Sequence, residues 1–155
     1  MLYLDSSVIV KLYLLEIGSD RLLARIAKGD PVFTSQISYA EVHAAFARKL
    51  RENLLQTRQF RRLERCFLND WLSKLIHVQV DSKSMSDVPT LVRKYPLRGA
   101  DAVHLAAALW LTSRMRLSPA FSGGDQILEF AVADKSFADI ASHCGLKVFN
   151  PEHSI

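Results

Sequence analysis

Four carboxylates stand where a solvent charge is not expected. Asp5 ends the apolar run Met1 to Leu4, and Glu41 lies among Tyr39, Ala40, Val42, Ala44 and Ala45. Asp101 sits in the first turn of an alanine-rich apolar segment, and Asp134 follows a late apolar run, Ile127 to Ala133. Gathering such groups in one cleft costs repulsion and desolvation unless a cation sits among them. Convergence of the four would therefore point to a divalent metal. Oxygen-only ligation selects the hard ions Mg²⁺ or Mn²⁺, and a magnesium site keeps waters and leaves room for phosphate oxygens. The chemistry that follows is metal-assisted hydrolysis of a phosphodiester, in which the ion activates water and stabilises the charge developing at phosphorus. Each acid alone has another role open to it. Asp5 and Asp134 suit helix caps, Asp101 suits a helix N-terminus, and Glu41 suits an ion pair with a basic side chain.

Convergence depends on the elements that carry these residues. Met1 to Leu4 is too short and too continuously apolar for a half-exposed strand or an amphipathic helix, so it is expected as a buried strand of a parallel sheet. Ligands bind beyond the carboxyl ends of such strands, which is where Asp5 falls. Val8, Ile9, Leu12 and Leu15 then have helical spacing that ends near Gly18, and a second helix runs from Ser19 to Lys28. Val32 to Thr34 reads as a strand, followed from Ser35 or Gln36 by a long helix containing Glu41. Gln56 to Lys74 carries Phe60, Leu63, Phe67 and Trp71 on one side and Arg58, Arg61, Arg62 and Arg65 on the other, a basic outer face that is either solvated or a phosphate-contacting ridge extended by Arg48, Lys49 and Arg51.

Leu75 to Val80 is a third strand, Ser84 to Tyr95 a helix stopped by Pro96, and Ala100 to Leu111 a helix apolar on every side and hence buried. His104, three residues after Asp101, suits either a satisfied core histidine or a hydrogen-bond donor to a metal-bound carboxylate. The stretch from Ser113 to Gln126 is expected as a surface loop or a short extra turn. Ile127 to Ala133 resumes as a strand, Phe137 to Cys144 is a helix, and Leu146 to Phe149 a last strand. The alternation of strand and helix predicts an α/β fold, a three-layer α/β/α sandwich around a mainly parallel sheet. Asp5 and Asp134 then share one sheet edge.

A length of 155 residues suits one domain spanning 1–155. With 49% apolar and 23% charged residues the composition is globular rather than disordered. No segment approaches the ~20 consecutive apolar residues that span a bilayer, so no membrane partner is expected. The N-terminus lacks a signal-peptide layout, which predicts a cytoplasmic protein. Cys66 and Cys144 are expected as small core residues. The net charge of +4 leans toward a polyanionic partner.

Four segments carry a family resemblance: YLDSSVIVKLY (Tyr3 to Tyr13), SYAEV (Ser38 to Val42), LRGADAVHLAAAL (Leu97 to Leu109) and ADKSF (Ala133 to Phe137) followed by Gly145 and Leu146. In order and separation they resemble a PIN-domain ribonuclease of the toxin type found in VapBC toxin–antitoxin pairs, over nearly the whole chain. The resemblance implies an endoribonuclease whose catalytic and metal-holding residues are Asp5, Glu41, Asp101 and Asp134, with Ser6 as a nearby hydroxyl. It also implies an RNA substrate, a homodimer, and inhibition by a cognate VapB-type antitoxin whose tail occupies a groove near the pocket. One departure is Val132, which stands where many such proteins have Ser or Thr. The rival readings are a stand-alone nuclease of the same fold and a catalytically silent module that binds RNA or an antitoxin. A haloacid-dehalogenase-like phosphatase would need a second Asp where Ser7 stands, and Gly123 and Gly124 lie outside any dinucleotide fingerprint.

Overall fold

Leu2, Tyr3 and Leu4 are completely buried, as a strand with neighbours on both edges and layers on both faces must be. They form β1 (Leu2–Leu4), the middle strand of a five-stranded sheet in the computed structural model, which describes residues 1–117 and 127–153. The other strands are β2 (Val32–Ser35), β3 (Leu75–Val78), β4 (Glu129–Ala131) and β5 (Lys147–Phe149), in the order β3-β2-β1-β4-β5. Every pairing is parallel. Tyr3 faces Phe33 on one side and Phe130 on the other. The chain thus leaves β1 toward one edge and later returns beside it from the opposite direction, which makes the carboxyl end of β1 a topological switch point.

Among the described residues seven helices cover the sheet: α1 (Ser6–Val10), α2 (Ser19–Ile26), α3 (Ile37–Arg51), α4 (Thr57–Ser73), α5 (Val88–Lys94), α6 (Gly99–Leu117) and α7 (Lys135–His143). Alternation along β1 separates two cores. Leu2 and Leu4 pack with Val8, Leu22, Val42, Phe46 and Phe67. Tyr3 packs with Phe130, Leu105, Ala108, Phe137 and Ala141 on the other face. The three-layer architecture expected from the sequence is therefore present. No described helix is long and apolar enough to cross a membrane.

Several expectations are corrected. The first helix stops at Val10 rather than near Gly18, leaving Leu15 and Ile17 exposed. Side chains take over the backbone groups there. Ser19 Oγ donates to the carbonyls of Lys11 (2.9 Å) and Leu14 (3.2 Å) and accepts from Glu16 N, and Lys11 Nζ donates to Ile17 O. These contacts satisfy a turn that helical spacing alone does not reveal. The helix expected from Ser84 begins only at Val88, because Asp81 accepts from the amides of Lys83 and Ser84 and holds a turn. The helix expected to end at Leu111 continues to Leu117. Past the core it becomes amphipathic, with Met115 buried and Arg114 and Arg116 exposed. The loop expected between Ser113 and Gln126 is thus helical up to Leu117, and its remainder, with Gly123 and Gly124, lies outside the described residues. Cys66 is exposed and Cys144 half-buried, so neither is a core thiol.

The amino edge of the sheet is tied by charge. Arg25 on α2 donates from Nε to Glu129 of β4 (2.6 Å) and from Nη1 to Asp30 (2.7 Å), and Lys147 of β5 lies 3.2 Å from Glu129. Burial pushes the Glu129 carboxyl up, but the hydrogen bonds from Arg25 and Lys147 outweigh it and hold the pKa below the ordinary 4.5. A carboxylate depressed in the folded state adds stability above its unfolded pKa and loses it as pH falls through the folded pKa. Arg25→Ala is expected to cost about 2 kcal/mol at neutral pH. Its stability should also fall less steeply than the parent's on acidification below pH 4.5, as urea denaturation at several pH values will show.

Candidate active site

The site is built around the one histidine of α6. The helix is apolar on all sides between Ala102 and Ala108 because it is buried there, and His104 is carried into that interior with its side chain 1% exposed. A buried imidazole must satisfy both ring nitrogens. Nδ1 meets the hydroxyl of Tyr3 from β1 at 3.2 Å, and Nε2 meets Glu41 Oε2 from α3 at 2.9 Å. Asp5 Oδ1, just beyond β1, lies 3.6 Å from the same Nε2. Burial pushes the imidazole down, but the charge of Asp5, the Glu41 hydrogen bond and the charge of Asp101 outweigh it and raise its pKa above the ordinary value. His104 is therefore a satisfied core residue whose Nε2 donates to Glu41.

Asp5 likewise does two things. Its Oδ2 caps α1, accepting from the amide of Ser7 at 3.1 Å and from the Ser7 hydroxyl. Oδ1 faces His104. The backbone amide of Asp5 donates to Ala131 O of β4 at 3.0 Å, so its position follows the strand pairing directly.

Glu41 is only partly sheltered by its own helix. Tyr39, Ala40 and Ala44 are exposed, and the buried face consists of Ser38, Val42 and Phe46. The broad apolar face expected around Glu41 is therefore narrower than the composition suggests, and the side chain is half-buried by leaning onto His104. Burial raises its pKa, but the His104 hydrogen bond and charge, with the Ser6 side chain, pull it below the ordinary value. Asp101 behaves oppositely. Burial and the charge of Asp5 push its carboxyl up, and the amide of Arg98, which donates to Oδ2 at 3.3 Å, only partly offsets them.

Asp134 stands apart from this group. It caps α7, accepting from the Phe137 amide (2.7 Å) and the Ser136 hydroxyl (2.6 Å), and those two bonds hold its pKa low. Val132, two residues before it, is completely buried. The hydroxyl that the resemblance places before Asp134 is replaced by one that follows it. Asp5 and Glu41 are thus brought together on His104 Nε2, Asp101 is near enough for charge to act between it and both Asp5 and His104, and Asp134 makes its hydrogen bonds within the start of α7 while sharing the influence of the Arg98 charge with Asp101. Among the described residues no three His, Cys, Asp or Glu side chains close into a ready metal cage.

A cavity of about 440 Å³ opens beside the cluster, with Ser6, Glu41, Arg48, Arg98, Ala133 and Glu152 in its lining. Asn150 and Glu152 are site-region residues outside the motif segments, and Lys11 and Arg98 lie inside those segments without a role that their sequence context assigns. Asn150 Nδ2 donates to Ala133 O at 3.0 Å and Glu152 Oε1 lies 2.6 Å from Lys11 Nζ, so the last strand's exit braces the residue before Asp134. A larger cavity of about 840 Å³ lies along the arginine-rich face of α4, lined by His43, Arg58, Arg61, Glu64, Arg65 and Leu68 among others. Glu64, its one carboxylate, lies 3.4 Å from His43. Of the clustered acids, Glu41 lines the smaller cavity.

A parallel α/β protein with an acidic, partly basic-walled cleft at the switch point of its sheet is the class that fold and site define. The family model for the PIN domain matches residues 2–114. Ribonuclease VapC45 of Mycobacterium tuberculosis (strain CDC 1551 / Oshkosh) is 35% identical over 109 residues, covering 70% of this chain and 75% of that relative. The chain belongs to the PIN-domain family. Among solved structures, FitAcB from Neisseria gonorrhoeae superposes with a TM-score of 0.64 at 20% identity, over 99% of this chain and all of that one. VapBC2 from Rickettsia felis, solved with a DNA fragment from its promoter, gives a TM-score of 0.63 at 15% identity over 97% of this chain and 98% of that one. At these identities the structural likeness carries the fold.

Replacing His104 should expose how much the cluster depends on it. His104→Ala leaves Asp5 and Glu41 without their shared partner and opens a void beside Tyr3, for an expected loss of roughly 3 kcal/mol or more. The check is the urea midpoint measured in EDTA, where bound metal cannot compensate.

Proposed function

We propose that this chain is a Mg²⁺- or Mn²⁺-dependent endoribonuclease, a single nuclease domain acting in the cytoplasm as the toxin of a toxin–antitoxin pair. The observation that carries the reading is the meeting of Asp5 and Glu41 at His104, with Asp101 near enough for the charge of Asp5 to raise it, beside a cavity in which Glu41 shares the wall with cationic side chains. The ribonuclease name of the 35%-identical relative supports the activity. The descriptions of structural neighbours from Rickettsia felis and Klebsiella pneumoniae as VapBC2 and a toxin–antitoxin complex support the partner.

The residues fit a hard divalent ion. Both nitrogens of His104 are taken by Tyr3 and Glu41, which leaves an oxygen-only donor set. Repulsion between Asp5 and Asp101 is what a cation removes. The open arrangement of the acids matches an ion that retains several waters and accepts phosphate oxygens. Asp5 and Asp101 would hold it, with Glu41 completing the site and Asp134 at its edge. When bound, such an ion supplies a lowered pKa for water and stabilisation of the charge developing on phosphate and leaving oxygen.

The chain's own residues do the rest. His104 fixes Glu41 through a hydrogen bond and keeps Asp5 Oδ1 turned inward. The Ser7 contacts to Oδ2 prevent the Asp5 carboxylate from rotating away. Ser6 presents its hydroxyl at the cavity wall beside Glu41. A homodimer and a VapB-type antitoxin belong to the same proposal. The antitoxin's tail would seat near this cavity and block it.

Asp5→Asn and Asp101→Asn should each reduce RNA cleavage by at least about 100-fold while the fold is retained. Antitoxin-free protein should cut single-stranded RNA in Mg²⁺ or Mn²⁺ and be inactive in EDTA. Parent protein that cuts no RNA with either ion would sink the enzymatic reading in favour of a silent binding module, and undiminished activity in both variants would move the site elsewhere.

A further inference from the structure

Four cationic side chains line the cavity beside the acidic cluster: Lys11, Arg48, Lys49 and Arg98. Two of them are held by protein carboxylates. Lys11 is buried, with Nζ 2.6 Å from Glu152 and 3.4 Å from Glu16, and Lys49 lies 2.7 Å from Glu16. Arg48 and Arg98 are exposed and make no ion pair within 4.0 Å among the described residues, although they share a cavity with Glu16, Glu41 and Glu152. The carboxylates have chosen the lysines.

The two arginines also have definite places. Arg48 lies two turns beyond Glu41 on α3, on the same helical face and about 10 Å along the axis. Ala45, between them, keeps the wall low enough for the cavity to run from one to the other. Arg98 precedes α6, and its backbone is pinned at both ends: its amide donates to Asp101, and its carbonyl accepts from Ala102 N at 3.0 Å. Its side chain carries charge that reaches acids on two different elements, Asp101 and Asp134. An unpaired guanidinium beside a metal-type cluster offers a planar fork that matches phosphate oxygens.

Resting on the ribonuclease reading, we propose that Arg48 and Arg98 are the substrate-phosphate ligands of this site, holding backbone phosphates of a single-stranded RNA along the cavity that joins them past Glu41. The arginine-rich face of α4 is then not the principal RNA surface. Lys11 and Lys49 have a different task, keeping Glu16 and Glu152 neutralised so that the cavity accepts a polyanion.

The test uses full-length protein in the Asp5→Asn background, which blocks cleavage, and a short fluorescent single-stranded RNA titrated in Mg²⁺ at several KCl concentrations. Arg48→Ala and Arg98→Ala should each weaken binding roughly tenfold. Each should also reduce the slope of log affinity against log salt by about 0.7, the value for one lost phosphate contact on a single strand. Arg48→Lys and Arg98→Lys should restore the slope. Lys28→Ala, at the opposite edge of the sheet before β2, should match the background protein. Slopes unchanged in both arginine variants overturn the proposal, and a slope lowered instead by Arg58→Ala or Arg61→Ala moves the RNA to α4. Parent cleavage measured alongside separates the two ideas. Cleavage with arginine-independent binding defeats the phosphate ligands alone, binding that depends on the arginines without cleavage defeats the enzymatic reading alone, and neither binding nor cleavage defeats both.

Discussion

Like charges gathered at the end of a strand repel one another, and the arrangement beyond β1 depends on the buried imidazole that offsets part of that repulsion. His104 touches β1 through Tyr3, α3 through Glu41 and the β1 exit through Asp5. Two regions distant in sequence, β1 with its exit and α3, are thereby fixed to one side chain of α6. A histidine in this position is more than filler for a helix core, since the raised pKa that results from its carboxylate neighbours favours the cationic form. The histidine thus counters part of the cluster's negative charge, while burial and the charge of Asp5 still raise the Asp101 carboxyl.

The sheet explains why this charge problem arises here. With β1 between β2 and β4, the crossovers depart to opposite sides and leave a crevice at its carboxyl end. Asp5 is delivered there by one parallel ladder, its amide bound to Ala131 O, and Asp134 by the same neighbouring strand a few residues on. The amino edge is the electrostatic opposite. There Arg25 and Lys147 match Glu129 and Asp30 in close ion pairs. Satisfied charge at one edge and unsatisfied charge at the other is what separates a structural network from a functional one.

Strand and helix order, the two-faced sheet and the placement of Asp5 were legible because buried parallel strands write continuous apolar runs and buried helices write apolar turns on all sides. Glu41 was legible as an awkward charge, but the reason was not: its own helix face is half open, and its shelter comes from His104 in a segment far along the chain. The early end of α1 was hidden for a similar cause. Ser19 and Lys11 take up backbone carbonyls across a turn, and such bonds leave no periodic trace. Arg98 falls inside the LRGADAVHLAAAL segment, yet an arginine just before a helix resembles any polar loop residue. Only its position over two acids distinguishes it.

Asp134 is a helix cap whose carboxylate is compatible with the edge role proposed for it. A carboxylate that accepts from Ser136 and Phe137 has its pKa lowered and stays ionised, which a metal or phosphate-facing site requires of its edge acids. Val132 cannot supply a hydroxyl from the strand side, and Ser136 supplies one from the helix side instead. The consequence is geometric. An oxygen steered from the helix is set by the start of α7 and by the Asn150 brace on Ala133 rather than by the strand ladder. The strand β4 delivers Asp134, the Asn150 brace ties the residue before it to the exit of β5, and Glu152 joins that exit to Lys11 just beyond α1.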